Sequence, residues 1–105
     1  MTWALAAPAE SIRAIARLRQ RADVTVCSAD NEIWLRGEAP DQQLDEPLAQ
    51  ALRLIPGGRQ FTVLAGDQLV AAGKLVPSGR LPAGPWQPLA EWLSLNLPPP
   101  NQPKA

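Results

Sequence analysis

The sequence predicts an α+β fold: two helices packed on a small, mainly antiparallel sheet of two hairpins, with a Pro-rich C-terminal segment. Two stretches, 8–21 and 44–55, place apolar residues at helical intervals. Two others, 24–38 and 59–76, each hold a pair of apolar runs around turn-forming residues. Eight of the twelve prolines fall after Val76, in a mixed ending that could add a further strand or short helix. A helix needs a sheet face to cover, and two short helices suffice for one face. Residues 1–97 therefore form a single compact domain, and 98–105 a Pro-rich tail or linker.

From Pro8 to Arg21, Ile12, Ile15, Ala16 and Leu18 give one apolar face, while Arg13, Arg17 and Arg21 recur every four residues on the opposite ridge. In "VTVCSA", Val24 and Val26 alternate with Thr25 and Cys27. "ADNE" is turn chemistry, because Asp30 and Asn31 tolerate left-handed backbone. "IWLRGEA" then completes a hairpin over 24–38. In the second helix Leu44, Leu48, Ala51, Leu52 and Ile55 supply the buried stripe. Asp45 caps it, Glu46 suits its positive end, Pro47 fits its first turn, and Pro56 with Gly57 stops it. "RQFTVLAGDQLVAAGKLV" reads as a second hairpin centred near Gly66 and Asp67. "VPSGRLPAGPWQPL" is Pro-rich connection, "LAEWLSLNL" starts helical and finishes extended, and "PPPNQPKA" is of polyproline type.

Composition narrows the function classes. The 105 residues are 46% hydrophobic, enough for one core without metals or disulfides. Ten basic and ten acidic residues cancel, so no global field draws nucleic acid or an anionic membrane, and neither is expected as a partner. Histidine is absent, which removes the commonest general base near neutral pH and the usual zinc ligand. Cys27 is the sole cysteine, so no internal disulfide can form, and its strand setting suits a small buried hydrophobe. No apolar run approaches the ~20 residues that span a bilayer. The start "MTWALAAPAES" lacks the basic and apolar regions of a signal peptide, so a cytoplasmic location is expected. No carboxylate pair has a convergent third group, and Ser78 lacks a base. No cofactor and no catalytic residue is assigned.

Two hexapeptides nearly coincide: "LIPGGR" at 54–59 and "LVPSGR" at 75–80. As anion-binding nests, each would aim glycine amides at a phosphate clamped by Arg59 or Arg80. As turns, Pro56 and Pro77 take the second position, with Gly57 supplying positive φ in one and Gly79 following Ser78 in the other. The first copy ends a helix, where carbonyls and the negative dipole end disfavour an anion, which favours the turns. Arg13, Arg17, Arg19 and Arg21 form a locally basic ridge offset only by Glu10, suited to solvent or an acidic protein surface. Trp86 and Trp92 lie in "GPWQPLAEWL", where stiff backbone carries two large rings; they are interface anchors or part of this domain's own core.

The C-terminal half holds the most distinctive sequence: "LRLIPGGRQFTVL" and then "GKLVPSGRLPAGPWQPLAEWLSLNLP". Pro56, Gly58, Arg59, Phe61, Gly73, Pro77, Gly79, Leu81, Pro82, Trp86, Pro88, Leu89 and Trp92 make it resemble a small accessory domain of bacterial MoxR–vWA–beta-propeller ternary systems. The resemblance implies an adaptor working with a MoxR-type AAA+ ATPase or a von Willebrand A protein, in stress response or defence. It supplies no catalytic motif. The expectation is a non-enzymatic protein-interaction module using Trp86, Trp92, Arg13, Arg17, Arg59 and Arg80. The competing expectation is an anion or nucleotide sensor using Arg59 and Arg80.

Overall fold

In a computed structural model, the described residues are 1–41 and 43–97. Seven strands form one antiparallel sheet: β1 (Thr2–Pro8), β2 (Thr25–Ala29), β3 (Glu32–Glu38), β4 (Arg59–Val63), β5 (Gln68–Ala71), β6 (Lys74–Arg80) and β7 (Gln87–Pro88). Their spatial order is β6-β5-β4-β1-β3-β2-β7. Three short helices accompany them: α1 (Ile12–Ile15), flanked by 3₁₀ turns at Ala9–Ser11 and Ala16–Leu18, α2 (Glu46–Arg53) and α3 (Leu89–Asn96). The expected two helices on a two-hairpin sheet are overturned, because the protein is mainly β. Both expected hairpins exist, as β2–β3 and β4–β5. What changes the class is β1, which the sequence reading left unassigned, together with β6 and β7. The expected Pro-rich tail at 98–105 lies outside the described residues.

β1 is the central strand, pairing with β3 from Thr2↔Glu38 to Pro8↔Glu32 and with β4 from Thr2↔Val63 to Ala6↔Arg59. Buried on both faces, it shows none of the polar alternation that marks a half-exposed strand. On one face Trp3, Leu5, Ala7, Val26, Ile33 and Leu35 meet the helices through Ile15, Leu18, Leu48, Leu52, Leu89, Trp92 and Leu93. On the other, Ala4 and Ala6 lie under Trp34 and Phe61, whose rings stack at 5.7 Å and 21°. The expected long first helix is a single α turn between two 3₁₀ turns. It is too short to stand alone, and buried Ile15 and Leu18 hold it, with buried Ser11 donating to the Pro56 carbonyl at 2.6 Å. α2 forms as expected: Asp45 accepts from the Leu48 amide at 2.9 Å and Pro47 sits in the first turn. α3 keeps helical form through Asn96, further than expected.

The two hexapeptides differ in structure. Pro56 and Gly57 (φ 70°) end α2 in a turn, as expected. "LVPSGR" instead lies within β6, where Ser78 rather than glycine takes positive φ (55°). Asp30 and Asn31 both adopt positive φ, as the two-residue turn of β2–β3 requires.

Residues 81–86 cross from one edge of the sheet to the other, since they join β6 to β7. Six inter-strand spacings in a flat sheet would separate those edges by about 28 Å. The seven peptide steps from Arg80 to Gln87 reach about 25 Å at most. The sheet therefore coils around this strap, with the Trp34–Phe61 face inside. Leu81 is buried against that face and Trp86 packs at its margin.

Gly37 pairs with Trp3, and a methyl group there would stand 2.7 Å from the indole. Gly37→Ala is expected to lower stability by about 1–3 kcal/mol, as overpacking does, readable by urea denaturation. Leu81→Ala is expected to loosen the strap and speed thiol labelling of buried Cys27 beneath it, while far-ultraviolet circular dichroism stays native.

Candidate partner-binding surface

The strap ends at Trp86, whose placement follows from local chemistry. Its indole N–H donates to the Pro82 carbonyl at 3.2 Å, so the ring folds back over its own strap. Arg36, from β3, places its guanidinium 5.6 Å from the ring centroid on the inner face of the sheet. Arg36 makes no ion pair among the described residues. Beside this pair lies a groove of about 490 Å³ lined by Asp23, Thr25, Arg36, Gly37, Glu38 and Trp86. A second depression of about 420 Å³ adjoins it, sharing Asp23 and Glu38 and adding Asp41 and Asp45.

The rim is thus acidic, and the chain's neutrality conceals this. From Asp23 to Glu46 there are seven carboxylates and one arginine, Arg36. Arg21 partly compensates: it bridges Asp23 and Asp45, with contacts of 2.8 Å to each. Its guanidinium hydrogen bonds hold the Asp23 and Asp45 carboxyls below the usual carboxylate range, aided at Asp45 by the Leu48 amide. Reciprocally, Asp23 and Asp45 keep Arg21 charged well beyond its ordinary range. Glu38 accepts from the Thr2 hydroxyl at 2.6 Å, and Asp41 is exposed.

The six residues singled out from sequence fall in different places. Trp86 is half-buried at the groove. Trp92 is only 7% exposed and belongs to the helix-face core. Arg13 and Arg17 are exposed together on α1 and the turn after it, and neither has an ion pair among the described residues. Arg59 pairs with Glu32 and lies over Phe61, its carbon 5.8 Å from the ring centroid. Arg80 donates to the Gly66 carbonyl at 2.5 Å. Arg59 opens β4 while Arg80 pairs with Gln68 beside the far end of β4, so the two arginines sit at opposite ends of the sheet. They do not form one clamp.

Asp23, Arg36, Glu38, Asp41 and Asp45 were missed from sequence. Reading charge by segment would have found the carboxylates, because 23–46 is strongly acidic within a neutral chain. Nothing local would have found Arg36, whose aromatic partner lies fifty residues away and reaches it only through the strap. Burial pushes the Cys27 thiol pKa up, with the Gly84 amide opposing in part. No helix among the described residues is long and apolar enough to cross a membrane.

A family model described as "MoxR-vWA-beta-propeller ternary system bpX2, N-terminal domain" matches residues 5–105. The chain belongs to this family. No curated protein and no solved structure matches it. The match begins at Leu5 and so takes in the second half of the central strand and the helical segment after it, well beyond the C-terminal half that carried the sequence resemblance. The family description ties the domain to MoxR–vWA–beta-propeller ternary systems.

The Arg21 bridge has a pH consequence. Where folded carboxyl pKa values are depressed, the folded chain binds fewer protons than the unfolded one, whose aspartates titrate near about 3.9. The stabilisation is complete above that value and is lost as pH falls through the depressed folded values. Arg21→Ala is therefore expected to flatten the fall in stability below about pH 5, as followed by thermal denaturation across pH.

Proposed function

We propose that this domain is a non-catalytic docking module that joins components of its MoxR–vWA–beta-propeller system in the cytoplasm. The groove beside Trp86 receives a basic segment of the MoxR or von Willebrand A component. The observation that carries this reading is the groove itself: an aromatic wall, half-buried and held in place by its own strap, opens directly onto an acidic rim. Rings of this kind, large and nearly fixed, contribute much of the energy where proteins dock. Asp23, Glu38, Asp41 and Asp45 outnumber Arg21 and Arg36 at the rim, so a lysine- or arginine-bearing segment is complementary and an acidic one is repelled. The engagement of Asp23 and Asp45 with Arg21 holds both carboxylates charged and fixed, which suits a recognition surface better than proton transfer.

The test is binding of the purified domain to the purified MoxR, von Willebrand A and propeller proteins of its own system. One of them is expected to bind with an affinity that falls as salt rises. Trp86→Ala and Glu38→Lys with Asp41→Lys are each expected to weaken that binding at least about tenfold, with circular dichroism unchanged. Binding that none of these changes affects would refute the assignment of the groove.

A further inference from the structure

Arg13, Arg17 and Arg19 are exposed on α1 and the turns after it, and none makes an ion pair among the described residues. Glu10, the one carboxylate near them in sequence, is exposed and pairs with none of them. Arg21 comes next, and it shows what such a side chain does on meeting the acidic rim. Its guanidinium lies 2.8 Å from Asp23 and 2.8 Å from Asp45. Elsewhere on the rim, Glu38 and Asp41 have no ion pair among the described residues. One chain thus carries a basic ridge and an acidic rim, neither neutralised, which adjoin at Arg21.

We infer that the arginine ridge of one copy docks on the acidic rim of a second copy, and that the contact closes as a two-fold pair. The depression at the rim has the make-up of an arginine receptor. Pro40, Leu44 and Leu48 give apolar wall for the methylene stem, while Glu38 and Asp41 face the guanidinium. In the adjoining groove Trp86 offers its ring to a further cation. Charge selects the occupant. An acidic segment of another protein would satisfy the ridge and leave Glu38 and Asp41 as they are, whereas a second copy satisfies both surfaces at once. Zero net charge leaves no long-range repulsion between copies. Within a single chain only Arg21 reaches the rim, so the other arginines need a neighbour. Because ridge and rim adjoin at Arg21, a two-fold axis beside that residue sets each ridge on the other's rim and makes every contact twice. Exposed ion pairs are individually weak, so the pair is weak and salt-sensitive. The inference goes beyond the docking reading; that reading adds only that a partner's basic segment displaces the ridge from the rim.

Sedimentation equilibrium of the purified domain tests this, at concentrations up to about 1 mM and at low and high salt. The mass is expected to approach twice the 11.3 kDa of one chain at low salt and to fall back to one chain at high salt. Arg13→Glu with Arg17→Glu, and separately Glu38→Lys with Asp41→Lys, are each expected to leave a monomer. Lys74→Glu, exposed on the edge strand β6, is expected to leave the pair intact. Mixing the two double variants is expected to restore a dimer, since each ridge then meets a rim of opposite charge; melting curves check that all variants fold. A domain monomeric under every condition, a mass that climbs past two copies, or double variants that stay apart when mixed overturns the inference. If the domain stays monomeric while a protein of the system binds it and is lost with Glu38→Lys and Asp41→Lys, this inference falls and the docking reading stands. If the copies pair as expected and no protein of the system binds, the docking reading falls alone.

Discussion

The structure depends on two methyl groups in its middle. β1 sits between β3 and β4, and on the strap side it presents only Ala4 and Ala6. β3 and β4 are about two strand spacings apart, near 10 Å, so side chains projecting straight up from them would stand well apart. Trp34 and Phe61 nevertheless stack at 5.7 Å, because the alanines between them leave a trough into which both rings lean. On the opposite face the same strand carries Trp3 and Leu5, which fill the space under the helices. Large on one side and small on the other, β1 sets the thickness of both cores. A branched side chain at Ala4 or Ala6 would drive the rings apart and lift Leu81, and with it the strap.

From that trough follows the coiling of the sheet and the management of its edges. The strap can reach across seven strands only because the inner face is concave, and it lies down only because Leu81 finds Trp34, Phe61 and Leu69 beneath it. Its far end delivers Gln87 and Pro88 to β2 as a two-residue edge strand, too short to recruit another chain. The other edge, β6, is interrupted by Pro77 and Ser78. Both margins are thus poor templates for strand addition, which leaves faces and grooves as the places where a partner can engage. The Trp3 indole N–H, buried without a partner among the described residues, adds a local cost.

The parts legible in the sequence were those with local causes. The β2–β3 hairpin was announced by Asp30 and Asn31, α2 by Asp45, Glu46, Pro47 and the Pro56–Gly57 stop, and the β4–β5 turn by Gly66 and Asp67. β1 was not legible, because "TWALAAP" is rich in alanine, a helix former, and a strand buried on both faces loses its alternation. β6 was hidden by "PSG", which reads as a turn and instead bends an edge strand. The arginine ridge and the prominence of Trp86 were visible, yet the burial of Trp92 was not, since "LAEWLSLNL" is apolar almost all round and does not say which face is inward. The groove joins residues from three separate segments through the strap, and no spacing in the sequence encodes that encounter.

Energetic magnitudes explain why the charged residues are available for recognition. Exposed ion pairs such as Arg53–Glu46 contribute about 0–1 kcal/mol each, whereas burying one large apolar side chain contributes about 1.5–3 kcal/mol. Some two dozen apolar residues are buried, so the fold does not rest on its charges. Among the described residues Arg13, Arg17 and Arg19 stand without ion pairs, and Asp23, Glu38, Asp41 and Asp45 share one rim, since the cores absorb the small repulsion. With zero net charge, the fields of ridge and rim cancel at a distance and act within a screening length of about 8–10 Å. Such a surface does little to draw partners from afar. It selects among those already close, which suits a component whose partners belong to one assembly.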